Sequence, residues 1–281
     1  MSAALDAGNV EVWSGKDRGD ENFPVGSLLI ARRLRPHVHA FYAFARNADD
    51  IADSAVLAPA EKLARLEVMG AVLEGRSDAG SPSAAKLRQS LRACGVTARH
   101  SLELLDAFRQ DATKRRYADW AELAGYCRLS AMPVGRHVLD LHGEALETWY
   151  ASDALCTSLQ VLNHLQDCAR DFAELDRSYL PESWLAEAGT GNEALCGAAE
   201  TPALRKVFGK LLDRCEALNQ AAAELPRGVR DRRLRLETGV IVGLARRLAA
   251  RLRRGDPLAR RVRLTKADAA TSVLSALRFL T

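Results

Sequence analysis

Apolar residues recur every three or four positions along nearly the whole chain, the spacing of helices with one buried face. In FYAFARNADDIAD (41–53), Phe41, Phe44, Ala45, Ala48, Ile51 and Ala52 fill the apolar directions. Tyr42, Arg46, Asp49 or Asp50, and Asp53 share the face left over. Alanine, leucine and arginine dominate and β-branched runs are scarce, so helix is expected almost throughout. Breaks fall at Pro36, Pro59, residues 75–82, Pro133, Pro181 to residue 193, 225–228 and 255–257. Between them the pattern predicts about eight to ten helices of roughly 10–25 residues. No repeat of solenoid period and no long interior linker interrupts the series. The expectation is an all-α chain: a loosely held arm over residues 1–20 and a single domain over 21–281.

Composition narrows the classes. With 281 residues, 48% of them hydrophobic, the chain can bury a large core. A net charge of +4, from 40 basic and 36 acidic residues, does not suit a protein that coats nucleic acid. Arginine supplies 33 of the 40 basic residues, and its planar fork suits phosphate. Six cysteines stand singly, without zinc-ligand spacing, as expected of a reduced intracellular protein. The first thirteen residues lack the apolar core of a secretory signal, and no apolar run reaches 18 residues. The expected location is the cytoplasm, with peripheral contact at the inner membrane.

The last third is strongly basic: within 227–254 ten arginines meet only Asp231 and Glu237. The plain reading is a solvated helix face. A sharper one is attraction to anionic lipid. Nucleic acid comes last, because neither a recognition motif nor a stacking aromatic series accompanies the charge.

A second stripe resembles the first. In LQVLNHLQDCARD (159–171), Gln160, Asn163, Asp167 and Asp171 lie three or four residues apart. Like charges at that spacing destabilise a helix unless a cation joins them. Two amide oxygens followed by two carboxylates form a hard-oxygen set suited to Mg²⁺, which commonly shares its coordination sphere with substrate phosphates. His164 stands beside Asn163 and is expected to point elsewhere, so zinc is a poor candidate. One such spacing is weak; two in apolar helices make a metal site the better reading.

Taken together, YAFARNADDIAD, YCRLSAMPVG (126–135) and LQVLNHLQDCARDFAELDRSYLP (159–181) resemble the squalene and phytoene synthase family of head-to-head prenyl synthases. ENFPVGSLLIARRLRPHVHAFYAFARNADDIAD (21–53), YCRLSAMPVGRHVLDLHGE (126–144) and GDPLARRVRLTKAD (255–268) are most similar to its bacterial branch in hopanoid biosynthesis. The likeness spans roughly residues 20–270 and implies a single-domain isoprenoid synthase (class I terpenoid synthase) helical bundle. Its central cavity would have both acid stripes at the mouth. Carried over, the resemblance makes Asp49, Asp53, Asn163, Asp167 and Asp171 ligands for two or three Mg²⁺ ions that bridge a substrate diphosphate. Ser27, Arg46 and Arg261 become diphosphate contacts, and Tyr42, Arg46, Tyr126, Gln160 and Asn163 catalytic residues. Many phytoene-type members carry an aromatic residue where this chain has Arg128, and small residues where it has Met132 and Pro133. The cavity wall there is expected to be reshaped for a different product.

The implied reaction is ionisation of presqualene diphosphate, rearrangement, and capture of the cation by water. Phe41, Tyr42, Phe44 and Tyr126 are aromatic candidates to face that cation. No GxGxxG follows a strand, and no nicotinamide is expected. Rivals are a farnesyl diphosphate condensing enzyme of the same family and a non-catalytic basic helical module binding membrane or RNA. No GxSxG occurs, and His37, His39, His137 and His142 are expected to be surface, packing or capping residues. Neighbouring squalene-pathway enzymes are the expected partners.

Overall fold

Proline and glycine set the helix ends in a computed structural model that describes residues 9–11 and 30–280. Helices α2 (Pro59–Glu74), α3 (Pro82–Cys94) and α9 (Pro202–Ala222) each open on proline, where its missing N–H is not needed. Gly75 ends α2 with φ +81°, a left-handed conformation that releases the chain from the helix. Among the described residues there are twelve α-helices, more than the pattern predicts. The excess has two sources: the short α8 (Glu182–Ala188) and α10 (Leu225–Gly228), and a division of the YCRLSAMPVG region. That region splits into α5 (Trp120–Ser130) and α6 (Met132–Leu141), with the break at Ala131. Pro133, expected to mark the break, instead sits in the first turn of α6, where proline is tolerated.

The described chain forms two compact units, the first from residues up to 114 together with 140–143, the second from the rest. In the first, α1 (Arg35–Asp53) packs against α2, α3 and α4 (Arg99–Asp111). Its core includes Phe41, Phe44, Ile51, Leu66, Met69, Leu87 and Leu105. Phe41 and Phe44, candidates to face a cation, are buried in this core. Part of the segment read as a loose arm is held here. Val10 donates its N–H to Gly80 at 2.8 Å, and Glu11 accepts from the Ser83 N–H and Ser81 hydroxyl at the start of α3. The remainder of residues 1–20, and Ser27 with its expected diphosphate contact, lie outside the described residues.

In the second unit the 27-residue α7 (Trp149–Leu175) packs on α9 and α11 (Arg232–Arg254), and α12 (Lys266–Ala276) packs on α11. Helix α9 buries Leu204, Val207, Phe208, Leu211, Leu212 and Cys215, the stripe its spacing dictates. Some of the ten arginines of 227–254 find acidic partners outside that segment. Arg227 pairs with Glu224, Arg251 with Asp268, and Arg253 with Asp213 and Glu216. No helix among the described residues is long and apolar enough to cross a membrane.

Candidate active site

The first acid set rides on the last two turns of α1. Ala48, Ile51 and Ala52 are fully buried, which turns Tyr42, Arg46, Asp49 and Asp53 to the half-buried side. Arg46 sits between two carboxylates, Nη1 3.0 Å from Asp49 and Nη2 2.6 Å from Asp50. Asp50 is buried and points into the unit, so of the two adjacent acids only Asp49 shares the accessible face with Asp53. The shared guanidinium cannot neutralise Asp49 fully. Burial, and then the charge of Asp53, push the Asp49 carboxyl up to about 8. From α2, the buried Lys62 donates to the Ala52 carbonyl at 2.8 Å and fixes the turn that carries Asp49 and Asp53. Sequence reading passed over Lys62, although a lone lysine amid the apolar stripe of α2 is a visible signal.

The second set lies in the middle of α7. Asp167 is 5% exposed and held from two sides. Arg261 reaches it with Nε at 2.9 Å from Oδ1 and Nη2 at 3.0 Å from Oδ2, and Arg170 lies 3.1 Å from Oδ2. Arg170 also reaches Asp171 at 3.2 Å, so one guanidinium bridges the two acids of the set. Gln166 donates to the Val262 carbonyl at 2.6 Å, which pins the segment that carries Arg261. Asn163 is half-buried on the same helix.

Gln160 is turned to another partner. Its side-chain nitrogen lies 3.2 Å from Nε2 of His164, whose ring stacks on Tyr179 with centroids 3.4 Å apart. Burial, then the nearby Arg177, push the His164 pKa down to about 3, so the ring is neutral. Nε2 can then accept from the Gln160 amide, which leaves the Gln160 carbonyl oxygen for a ligand. Tyr126 is 4% exposed and packs with Tyr117, Tyr179 and His164 at centroid distances of 5.4–6.1 Å. Sequence reading missed Tyr117, Tyr179 and Arg177, which lie outside the acid spacing and come together where the segments at Tyr117 and Pro181 pair in a parallel bridge. Arg128, expected in a cavity wall, is exposed on α5. Of the histidines weighed against a catalytic role, His137 is buried, and His37 in the first turn of α1 bonds Ser90 at 2.7 Å.

Among the described residues, no three His, Cys, Asp or Glu side chains converge into a ready metal cage. The donors nonetheless fit a hard divalent cation. Each set offers two carboxylates one turn apart and leaves other positions for water and phosphate oxygens, as Mg²⁺ usually requires. Burial first, and then the charge of Asp53, raise the Asp49 carboxyl despite the nearby Arg46.

Carboxylates paired one helical turn apart beside arginine, in an all-α chain, define the class: an isoprenoid-synthase fold. A squalene synthase from Alicyclobacillus acidocaldarius superposes with a TM-score of 0.74 at 33% identity, over 84% of this chain and 90% of that one. A dehydrosqualene synthase superposes at 0.78 and 19% identity, over 93% and 92%. A hydroxysqualene synthase from Rhodopseudomonas palustris is 48% identical over 90% of this chain and 87% of its own length. The squalene/phytoene synthase family profile matches residues 16–268, and the chain belongs to that family.

Proposed function

We propose that this chain is a hydroxysqualene synthase, converting presqualene diphosphate and water into hydroxysqualene and inorganic diphosphate. The observation that carries the reading is the pair of acid sets, Asp49 with Asp53 and Asp167 with Asp171, each beside an arginine. The choice of product follows the name of the 48%-identical relative.

Arg46 and Arg261, with Ser27, bind the diphosphate through charge-assisted hydrogen bonds. Asp49 and Asp53, with Asn163, Asp167 and Asp171, would hold Mg²⁺. Bound Mg²⁺ supplies neutralisation of the charge that builds on the departing diphosphate. The carbon–oxygen bond breaks with its electron pair on the leaving group. The cyclopropylcarbinyl cation rearranges to a tertiary allylic cation, water adds through oxygen, and one proton is released. Tyr42 and Tyr126 give the cation aromatic faces. Around Tyr126 the ring of His164 is neutral, while the buried Arg177 donates to the Tyr179 hydroxyl at 3.3 Å. Asn163 and the Gln160 oxygen position the reacting end. A greasy substrate and the basic α11 support peripheral contact with the cytoplasmic face of the inner membrane, near other squalene-pathway enzymes.

The test is incubation with presqualene diphosphate or farnesyl diphosphate and Mg²⁺, without nicotinamide, in ¹⁸O-water, followed by mass analysis. The reading expects an ¹⁸O-labelled alcohol from presqualene diphosphate. Consumption of farnesyl diphosphate with presqualene diphosphate untouched assigns the chain to the condensing branch instead. Turnover that survives both Asp49→Ala and Asp167→Ala removes the catalytic reading of the acid sets.

A further inference from the structure

Helix α12 turns its small residues inward and its large apolar residues outward. Ser272 and Ala276, one turn apart, are buried against α11, and the Ser272 hydroxyl donates to the Asp268 carbonyl of its own helix at 2.8 Å. On the opposite side Ala267, Ala270, Val273 and Leu274 are exposed, and Leu277 in the single turn that follows continues the row. Leu274 is 68% exposed, and Val273 and Leu277 are each 44% exposed. A surface helix covered only on its inner side shows the reverse order, with its leucines inside.

The inner face has no room for those leucines. A Cβ on Gly243 of α11 would stand 3.0 Å from Ser272 Cβ, and one on Gly239 would stand 3.1 Å from Ala276 Cβ and 2.8 Å from Phe279 Cδ2. The two helices approach so closely that a rotation bringing Leu274 inward would drive it into α11. Both ends are also fastened. Thr265 and Asp268 form a capping box at the start, where Arg251 Nε reaches Asp268 at 2.6 Å, and Phe279 covers Gly239 at the far end. The packing beneath the apolar row holds it open to solvent.

The charge around the row selects its occupant. Across residues 232–279 thirteen basic residues meet three acids, an excess of ten; the whole chain has an excess of four, so its other residues sum to −6. All three acids are buried or engaged: Glu237 is buried, Asp256 accepts the N–H groups of Leu258 and Ala259, and Asp268 is held by Arg251. Lys266, four residues before Ala270, lies on the same outer face, and Arg278 follows Leu277; both are exposed. A second copy of this chain would set the same cationic surface against itself. An anionic lipid surface matches both features, since acyl chains take the leucines while cations at the rim meet the headgroups. We propose that the outer face of α12, with Leu277, is the surface by which this protein lies on an anionic bilayer. The proposal rests on the peripheral contact inferred above and assigns it to one face.

The experiment is co-sedimentation of the full chain with vesicles of phosphatidylcholine, with or without phosphatidylglycerol, in EDTA and without substrate. It is compared with an outer-face variant, Val273→Gln, Leu274→Gln, Leu277→Gln, and a rim variant, Lys266→Gln, Arg278→Gln, each checked for folding by thermal melts. Leu274→Gln alone reports the same loss in smaller measure if the triple change unfolds. The control Leu146→Gln, Tyr150→Gln alters another exposed apolar pair, outside α12. The full chain and the control sediment only with phosphatidylglycerol vesicles, and the outer-face variant binds at least about tenfold more weakly. The rim variant binds at least about fivefold more weakly, and raising salt from about 0.1 M to about 0.5 M weakens the full chain. No binding by the full chain, equal binding to phosphatidylcholine alone, equal binding by the outer-face variants, or loss in the control alone overturns the assignment. So does a lipid-free dimer, seen by light scattering, that the outer-face variant abolishes, because a second copy then covers the face. Neither metal nor substrate is present, so such a failure leaves the hydroxysqualene reading to its own product test.

Discussion

Arg261 grips Asp167 with both ends of its guanidinium, Nε to Oδ1 at 2.9 Å and Nη2 to Oδ2 at 3.0 Å, although 94 residues separate them. Both carboxylate oxygens that would serve a metal are therefore occupied by arginine. On the proposed reading Asp167 would hold Mg²⁺, and Arg261, freed from it, would bond the diphosphate. Arg261→Gln is then expected to lower the Mg²⁺ concentration needed for half-maximal rate while reducing kcat/KM by about 10- to 100-fold, the worth of a charge-assisted hydrogen bond. Arg261→Lys recovers the rate only in part, because an ammonium cannot reproduce the fork. Rates measured across a Mg²⁺ series decide. An unchanged Mg²⁺ dependence with an unchanged rate rules out the exchange.

Asp49 makes the metal-free protein sensitive to pH. Its carboxyl titrates near 8 in the folded chain against 3.8 when unperturbed. Between those values the folded state holds a proton that the unfolded state has lost, so stability falls as pH rises from about 4 to 8. A third of the side chain is accessible, so screening reduces the effect to about 1–2 kcal/mol. Asp49→Asn is expected to melt about 3–6 °C above the parent at pH 8 in EDTA and at the same temperature at pH 4. Mg²⁺ raises the parent's melting temperature at pH 8 more than the variant's. A variant less stable than the parent at pH 8 contradicts the account.

The two acid stripes were legible in the sequence because helical period alone puts Asp49 with Asp53, and Asp167 with Asp171, on one face. The same period showed the apolar stripe that makes α9. What occupies those acids was not legible. Arg170 is three residues from Asp167, yet nothing local says that it bridges Asp167 and Asp171. Arg261 was reached by resemblance, as a phosphate contact, and its hold on Asp167 depends on where the segment 255–263 comes to rest. Whether Phe41 and Phe44 face a ligand or the core was not legible for a related reason: an aromatic residue beside an acid stripe reads alike in either place. The division at Ala131 escaped because proline marks a start as readily as a stop.

Gly135 in α6 allows that helix to approach α7 closely. A Cβ there would overlap Ser152 Oγ and stand 2.6 Å from Cys156 Sγ. Gly135→Ala is expected to cost about 1–3 kcal/mol by overpacking. Thermal melts check it, at roughly 2–4 °C per kcal/mol for a chain of this size. Adding Ser152→Ala and Cys156→Ala to the same chain makes room and returns most of the loss. If the triple change melts no higher than Gly135→Ala alone, close approach is not the cause.

His164 links the aromatic cluster to the second acid set, since its ring lies on Tyr179 and its Nε2 takes the Gln160 amide at 3.2 Å. Its pKa is pushed down to about 3, chiefly by burial. In the unfolded chain the same ring protonates near 6.5. Below that pH the unfolded state binds a proton that the folded state refuses, so stability is complete above 6.5 and drains away as pH falls towards 3. His164→Phe keeps the stack on Tyr179 and removes the proton-binding site. The variant is expected to lose less melting temperature than the parent between pH 7 and pH 5, by roughly 2–4 °C for each kcal/mol of linkage removed. Gln160 then loses its anchor, and kcat is expected to fall about 3- to 10-fold through a loosened reacting end. His164→Gln, which can still accept from Gln160, restores kcat more than it restores the stack. Equal acid sensitivity in parent and His164→Phe would show that the ring is charged, and the assignment of the Gln160 amide as donor would fall with it.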